Sequence, residues 1–340
     1  MLKLNALVAG STGYIGVQLI KLLVKHRYIN IKYLCGNNSI GKKISNYEKS
    51  LSNKKLPKII KFKDKLLNEI DIIFTALPNG EAQAISKKLL KKNTLIDLSA
   101  DFRLEKANEY LKYYKQKHKA PNNIKNSIYS LPEFSKTKIK KFQIISCPGC
   151  YPTSILIPII PLIKKNMIFK NNIIIDSKSG YSGAGRGVHK KYKFKNLYES
   201  LSAYGVGFHR HNSEIDQEIR KITKGKFKLI FTPHLTPMFR GILSTIYVDI
   251  NKGKTINSLY NELVRFYKES KFVKVVKMNK LISTNDVINT NFCNISICRS
   301  KYENKAIILS SIDNLIKGGA GQAVQNMNIL KNFKINEGLK

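Results

Sequence analysis

The chain contains no tryptophan, only 22 acidic residues in 340, and no apolar stretch long enough to span a bilayer. Its longest apolar run, Ile155 to Ile163, is interrupted by Pro158 and Pro161 and falls well short of the roughly 20 residues that a spanning helix needs. Met1 to Gly10 is too short, and too soon broken by glycine, for a signal peptide. Neither membrane insertion nor export is expected. The five cysteines are an odd number in a chain without an export signal, which argues against a disulfide framework and for reduced thiols in the cytoplasm.

The shortage of acids leaves a formal net charge of +38. Clustered Lys and Arg would indicate nucleic acid as a partner, because they neutralise phosphates. Here only eight of the 60 basic residues are arginine, the lysines are spread over loops and faces alike, and no nucleic-acid motif is present. The excess therefore reads as a solvated surface, and nucleic acid is not an expected partner. Scarcity makes the arginines informative. Arg103, Arg186, Arg210 and Arg240 all fall in polar stretches marked by glycine, histidine or proline, where a planar guanidinium grips carboxylate or phosphate better than an ammonium does.

With 43% hydrophobic residues, the chain has enough apolar material for two domains. Leu4 to Ala9 reads as a buried strand, followed by Gly10-Ser11-Thr12-Gly13-Tyr14-Ile15-Gly16 and a helical pattern over Val17 to Lys25. In a strand, glycine turn and helix of this kind, Gly10 permits the tight turn, Gly13 lets backbone approach a pyrophosphate, and Gly16 allows close packing of the helix, whose N-terminus receives the anion. The next strand, Ile31 to Leu34, ends in Cys35-Gly36-Asn37-Asn38-Ser39 with no carboxylate to repel a ribose 2′-phosphate. Ser39, Lys42 and Lys43 could bind one, so NADP(H) is expected over NAD(H).

Further strands at Ile70 to Thr75 and Thr94 to Leu98 enclose a helix over Glu81 to Lys91, and the alternation predicts a Rossmann-type doubly wound parallel sheet with ligand at its strand C-terminal ends. Leu77, Pro78 and Asn79 then face the cofactor, and Arg103, in Ser99-Ala100-Asp101-Phe102-Arg103, faces a substrate anion. Lys106 to Lys119 is a peripheral helix or excursion without evident chemistry. Beyond the cysteine stretch, strands at Ile173 to Asp176, Leu229 to Phe231, Ile242 to Asp249, Phe272 to Val276, Asn294 to Cys298 and Ala306 to Ser310, with a helix around Leu259 to Tyr267, predict an α/β substrate-binding and dimerisation domain. The expected boundaries are 1–148 for the nucleotide domain, 149–312 for the catalytic domain, and 313–340 for a C-terminal helix returning to the first.

The chemistry centres on Ser146-Cys147-Pro148-Gly149-Cys150-Tyr151-Pro152. Phe142 to Ile145 is β-compatible, Pro148-Gly149 is a turn, and Pro152 suits the first turn of a helix, which puts Cys150 at a helix N-terminus. There the macrodipole and unpaired N–H groups favour the nucleophilic thiolate and can stabilise an oxyanion. A Cys147–Cys150 redox pair, half a zinc site with Cys293 and Cys298, and a buried inert thiol are the competing readings. No histidine stands close enough to complete a familiar zinc pattern, and no metal is expected. The glycine-rich turn Gly180 to Gly187, with Ser182 and Gly183, presents N–H groups to an anion. Residues 188–200 are a basic, aromatic excursion in which His189 is taken as surface. His209-Arg210-His211-Asn212-Ser213-Glu214 opens a helix reaching Thr223, with two histidines suited to proton transfer and Glu214 placed to orient one of them. His234, between Pro233 and Pro237, suits structure as easily as chemistry.

With Gly10 to Gly16, Ser99 to Leu104, Ser146 to Ser154, Ser179 to Arg186, His209 to Ile215, Thr232 to Gly241 and Lys317 to Asn328 in this order, the chain resembles the N-acetyl-γ-glutamyl-phosphate reductases over nearly its whole length. The resemblance implies NADPH-dependent reduction of an acyl phosphate in arginine biosynthesis by a homo-oligomer, a dimer or tetramer, with Cys150 as nucleophile. It also implies His211, or secondarily His209, as acid/base, Glu214 beside them, and Arg103, Arg210 and Arg240 on the substrate's anions. Gly10 to Gly16, Ser39, Leu77, Pro78, Ser182, Gly183 and Asn326 form the implied cofactor set. Cys147 departs from the family's usual Asn and Ser213 from its usual Pro. Aspartate-semialdehyde dehydrogenases and aminoadipyl-phosphate reductases are the enzymatic alternatives, and a disused NADP- or nucleic-acid-binding protein is the non-enzymatic one.

Overall fold

The apolar runs become two separate seven-stranded sheets in the computed structural model, which describes residues 3–187, 199–223 and 225–340. His189 lies outside the described residues. The chain divides into two compact units, Met1–Pro148 with Gly319–Lys340, and Gly149–Gly318.

In the first unit, β1 (Leu4–Ala9), β2 (Ile29–Cys35), β3 (Ile59–Ile60), β4 (Ile72–Thr75), β5 (Thr94–Asp97), β6 (Ser127–Tyr129) and β7 (Ile144–Ser146) lie in the order β3-β2-β1-β4-β5-β7-β6. Every pairing is parallel. A parallel sheet is buried on both faces, so its strands are continuously apolar: Ala6 to Ala9 and Ile72 to Phe74 are almost wholly inaccessible. The order reverses between β1 and β4, the point at which such sheets open a ligand crevice. Helices α1 (Tyr14–Leu23), α2 (Glu81–Ser86), α3 (Ala107–Tyr114) and α4 (Pro132–Ser135) complete this part of the chain. The segment expected to be a peripheral helix or excursion holds α3, whose buried Tyr110 donates its hydroxyl to Asp101.

The C-terminal stretch forms a π-helical turn, Ile316–Ala320, and then a helix, Gly321–Leu330, buried from Gly321 to Asn328. Its buried amides are partnered: Asn326 accepts from Ser130 Oγ and donates to Ser130 O, and Asn328 Oδ1 meets His26 Nε2 at 2.8 Å. Beyond it, Glu337 forms a bidentate pair with Arg27.

The second unit contains β8 (Ile173–Gly180), β9 (Ser202–Ala203), β10 (Leu229–Thr236), β11 (Ile242–Asp249), β12 (Val273–Val275), β13 (Cys293–Arg299) and β14 (Lys305–Ile312), ordered β12-β13-β14-β11-β8-β10-β9 in a mixed sheet. β10 runs five residues past the expected end at Phe231, because its ladder with β8 continues to the Thr236–Gly180 pair. Pro233 is tolerated there: its outer neighbour is only the two-residue β9. Of the helices α5 (Cys150–Lys164), α6 (His211–Thr223) and α7 (Ile256–Tyr267), the first passes through both internal prolines. Pro161 cannot donate to the Ile157 carbonyl four residues back, and the Tyr267 hydroxyl from α7 takes its place. One sheet face is buried. The other exposes Ile174, Ile230 and Tyr247, which lie opposite one another across β8, β10 and β11.

Candidate active site

Gly10 closes the turn after β1 with φ +82°, and a methyl group on it would stand 2.2 Å from the Ala76 carbonyl oxygen. A methyl on Gly16 would stand 2.2 Å from the Gly10 carbonyl oxygen, so the first turn of α1 packs directly on the turn that precedes it. Buried Ser11 donates its hydroxyl to the Cys35 carbonyl, joining this turn to the end of β2. No side chain caps α1. Beside it lies a cleft of about 240 Å³ lined by residues that include Gly10, Gly36, Asn37 and Leu77. Ser39 is buried and accepts from the Tyr47 hydroxyl, whereas Lys42, Lys43 and Pro78 are exposed.

At the other end of this sheet, β7 runs into Cys147, whose N–H donates to the Asp97 carbonyl and whose carbonyl accepts from Arg103 Nε at 2.9 Å. Arg103 also bonds the Leu98 carbonyl, so the guanidinium braces two loop ends. Cys147 is buried beside Asn326, and burial pushes its thiol up to about 12. It stays protonated at neutral pH, a poor nucleophile and a poor thiolate for exchange.

Cys150, partly exposed, is the first residue of α5. The N-cap is Gly149, with no side-chain hydrogen bond to the first turn. The Gly149 N–H donates to Glu214 Oε2 at 2.9 Å, while Glu214 Oε1 faces His211 Nε2 at 3.8 Å. A methyl on Gly149 would lie 2.4 Å from His211 Nε2, which explains the glycine: the imidazole rests on its Cα. His211 and Glu214, expected from sequence to act together, are thus brought to the residue before Cys150. His209 is differently placed. It packs edge-on against Tyr151, Tyr204, His211 and Phe231, and its Nδ1 accepts the His211 N–H. Burial, assisted by the Arg210 charge, holds His209 down at about 4, so it is neutral at pH 7.

Of the other arginines, Arg210 and Arg186 are exposed, and Arg240 forms a bidentate pair with Asp313. Ser182 and Gly183 lie in the short helical turn Tyr181–Ala184, where the Ser182 hydroxyl accepts from Asn314. His234 pairs with Asp176 at 3.1 Å, and its carbonyl accepts from the Tyr151 hydroxyl, which in turn accepts from Tyr204. Tyr151, Asp313 and Asn314 were not singled out from the sequence. The Asp-Asn pair directly before the Lys317-Gly318-Gly319 stretch was the available signal. Among the described residues no group of three or more His, Cys, Asp or Glu side chains could hold a metal ion, and no helix is long and apolar enough to cross a membrane.

These features define an oxidoreductase of the semialdehyde dehydrogenase type. Residues 5–142 match the semialdehyde dehydrogenase NAD-binding domain model and residues 150–314 the semialdehyde dehydrogenase dimerisation domain model. The fold is shared with aspartate semialdehyde dehydrogenase II of Vibrio cholerae (16% identity, TM-score 0.71, covering 98% of this chain and 99% of that one). It is also shared with the Candida albicans enzyme solved with NADP (18%, 0.68, 97% and 98%). Within that class the chain belongs to the N-acetyl-γ-glutamyl-phosphate reductase family. It is 43% identical to the reductase of Thermoanaerobacter pseudethanolicus over 98% of this chain and 96% of the relative. With the probable chloroplastic reductase of Arabidopsis thaliana it shares 39% identity, over 97% and 82%.

Proposed function

We infer that this chain reduces N-acetyl-L-glutamyl 5-phosphate with NADPH to N-acetyl-L-glutamate 5-semialdehyde and phosphate, a step of arginine biosynthesis, through a thioester on Cys150. The observation that carries this reading is the seat of Cys150: an uncapped helix start, its preceding amide held by Glu214 and its preceding Cα covered by His211. Family membership supports the choice of substrate.

A carboxylate resists hydride, but thiolate attack on an acyl phosphate expels phosphate and leaves a carbonyl that accepts it. The first-turn N–H groups of α5 favour the Cys150 thiolate beforehand and the oxyanion during attack. Glu214 holds the Gly149 amide and places its other oxygen 3.8 Å from the imidazole. His211 moves the proton when the tetrahedral carbon re-expels the thiolate as aldehyde is formed. His209, neutral and enclosed by rings, holds the His211 backbone in position. Exposed Arg210 and buried Arg103, the latter oriented by two carbonyls, take the substrate's carboxylate and phosphate; Arg240 is treated below.

The glycine turn fits a dinucleotide, because Gly10 and Gly16 leave no room for side chains and no side chain caps the start of α1. Gly10, Ser11, Thr12, Gly13, Tyr14, Ile15 and Gly16 hold the pyrophosphate, Ser39 the ribose phosphate, and Leu77 and Pro78 line the crevice, with Ser182, Gly183 and Asn326 completing the set. Bound there, NADPH supplies the hydride. The exposed apolar residues Ile174, Ile230 and Tyr247 suit the contact face of a homo-oligomer, a dimer or tetramer. Five free cysteines suit the cytoplasm.

The test is phosphate-dependent reduction of NADP by N-acetylglutamate semialdehyde. Turnover with aspartate semialdehyde in its place, or with neither, overturns the substrate assignment, and a clear preference for NADH overturns the cofactor assignment.

A further inference from the structure

Behind Cys150 the second unit contains a buried polar hub that no part of the reaction above uses. Asp313, wholly inaccessible, follows β14; one of its oxygens lies 2.9 Å from Arg240 Nε in an ion pair and the other accepts from Arg240 Nη2 at 2.9 Å. The same carboxylate takes the Asn289 N–H at 2.7 Å and the Leu315 N–H at 2.9 Å. Its neighbour Asn314 accepts the Gly241 N–H at 2.7 Å and donates to Ser182 at 2.9 Å. Arg240 is fixed from the far side too: a methyl on Gly180 would stand 2.6 Å from its backbone nitrogen.

The hub reaches the nucleophile through one further bond. The Asp313 carbonyl accepts the Gly318 N–H at 3.0 Å, within the π-helical turn Ile316–Ala320. Gly318 lies so close to Cys150 that a methyl on it would stand 2.7 Å from Cys150 Cβ and 3.0 Å from Cys150 Cα. A rigid wall at van der Waals range restricts where the Cys150 side chain can sit at the helix start. Small displacements at a reacting centre are costly, because attack requires both reach and alignment.

We propose that Asp313 and Arg240 are positioning residues for the nucleophile: their bidentate pair anchors the turn whose Gly318 backbone forms the wall behind Cys150. Arg240 then acts through Asp313 and does not grip the substrate. A guanidinium already engaged by a wholly buried carboxylate would have to abandon that carboxylate, unpaired, to bind another anion there. The proposal rests on Cys150 being the nucleophile, as inferred above.

The decisive measurement is alkylation of Cys150 by iodoacetamide in substrate-free full-length protein, followed on the Cys150 peptide by mass spectrometry across pH. Arg240→Lys keeps the charge and loses the fork, and Asp313→Asn keeps the shape and loses the charge. Each is expected to slow Cys150 alkylation about tenfold or to move its pH midpoint by about one unit. Each should lower kcat in parallel while KM for N-acetylglutamate semialdehyde stays within about twofold. The double variant should be no worse than about twofold below the weaker single one, since both break one link.

Wild-type alkylation in both variants, with KM raised about tenfold or more in Arg240→Lys alone, overturns the proposal and makes Arg240 a substrate ligand. Gly318→Ala tests the last link without touching the ion pair. Altered Cys150 alkylation with unchanged NADPH affinity upholds it, and wild-type alkylation overturns it. That variant decides alone if the other two do not fold. Failure of the covalent mechanism shows separately, as turnover by Cys150→Ser.

Discussion

Two junctions in this molecule have the same local form, β1 into α1 and β7 into α5. Both end in a glycine N-cap of nearly identical backbone, Gly13 at φ −69°, ψ 163° and Gly149 at φ −66°, ψ 160°, and neither helix start is capped by a side chain. What surrounds them differs. The first is shaped by its own backbone and the adjacent strands, through Gly10, Gly16 and Ala76. The second is shaped by His211, Glu214 and Gly318, which lie between 61 and 168 residues further along the chain. On the function proposed above, the same local geometry serves as a passive anion cradle in one place and as a seat for a reacting thiol in the other.

The comparison breaks most completely if the thiol is removed. Cys150→Ser should lower kcat by about 10⁴-fold or more, because an alkoxide is far harder to form than a thiolate at pH 7, while NADPH titration by fluorescence quenching gives the wild-type Kd. Near wild-type turnover would end the covalent mechanism.

Alanine at each N-cap gives a sharper contrast. A methyl on Gly13 meets only the Gly10 carbonyl oxygen, at an ordinary 3.7 Å, whereas one on Gly149 meets His211 at 2.4 Å. Gly13→Ala should fold normally and weaken NADPH binding about tenfold by blocking backbone approach to the phosphates. Gly149→Ala should keep NADPH affinity and lose about 100-fold in kcat by displacing the imidazole. Isothermal titration alongside steady-state kinetics separates the two outcomes, and equal losses in both variants would refute the distinction.

The smallest effect is one of pH. His209 is held at about 4 in the fold against 6.5 for the free side chain, so between these values the unfolded chain binds more protons and stability rises with pH. Stability should therefore fall as the pH drops from about 6.5 towards 4, by on the order of 1–3 kcal/mol from this residue after allowance for its partial exposure. Urea denaturation of His209→Gln should show a flatter dependence over that window. An unchanged slope would show that His209 is not buried in its neutral form.

Legibility followed the same divide between local and distant causes. The glycine turn after β1, the continuously apolar parallel strands and the uncapped helix start at Cys150 were all readable, because each is a property of neighbouring residues. The His211 and Glu214 pair was readable too, being three residues apart on one helix. Asp313 was not: an aspartate in a polar loop looks the same in sequence whether it is solvated or holds a guanidinium 73 residues away. Nor could Gly149 be assigned to the His211 ring, or the Tyr267 hydroxyl to the carbonyl that Pro161 leaves without a donor. The strand expected to end at Phe231 likewise runs on to Thr236, because its pairing with β8 continues.

The first unit is built from both ends of the chain, residues 1–148 and 319–340. Ser130 awaits Asn326, His26 awaits Asn328 and Arg27 awaits Glu337, across separations of 196, 302 and 310 residues. During synthesis the N-terminal sheet therefore emerges without its closing helix, and the whole second unit is translated before that helix appears. Contacts of such length also carry a large loop-closure cost and slow folding. A helix made after the second unit thus completes the unit begun before it.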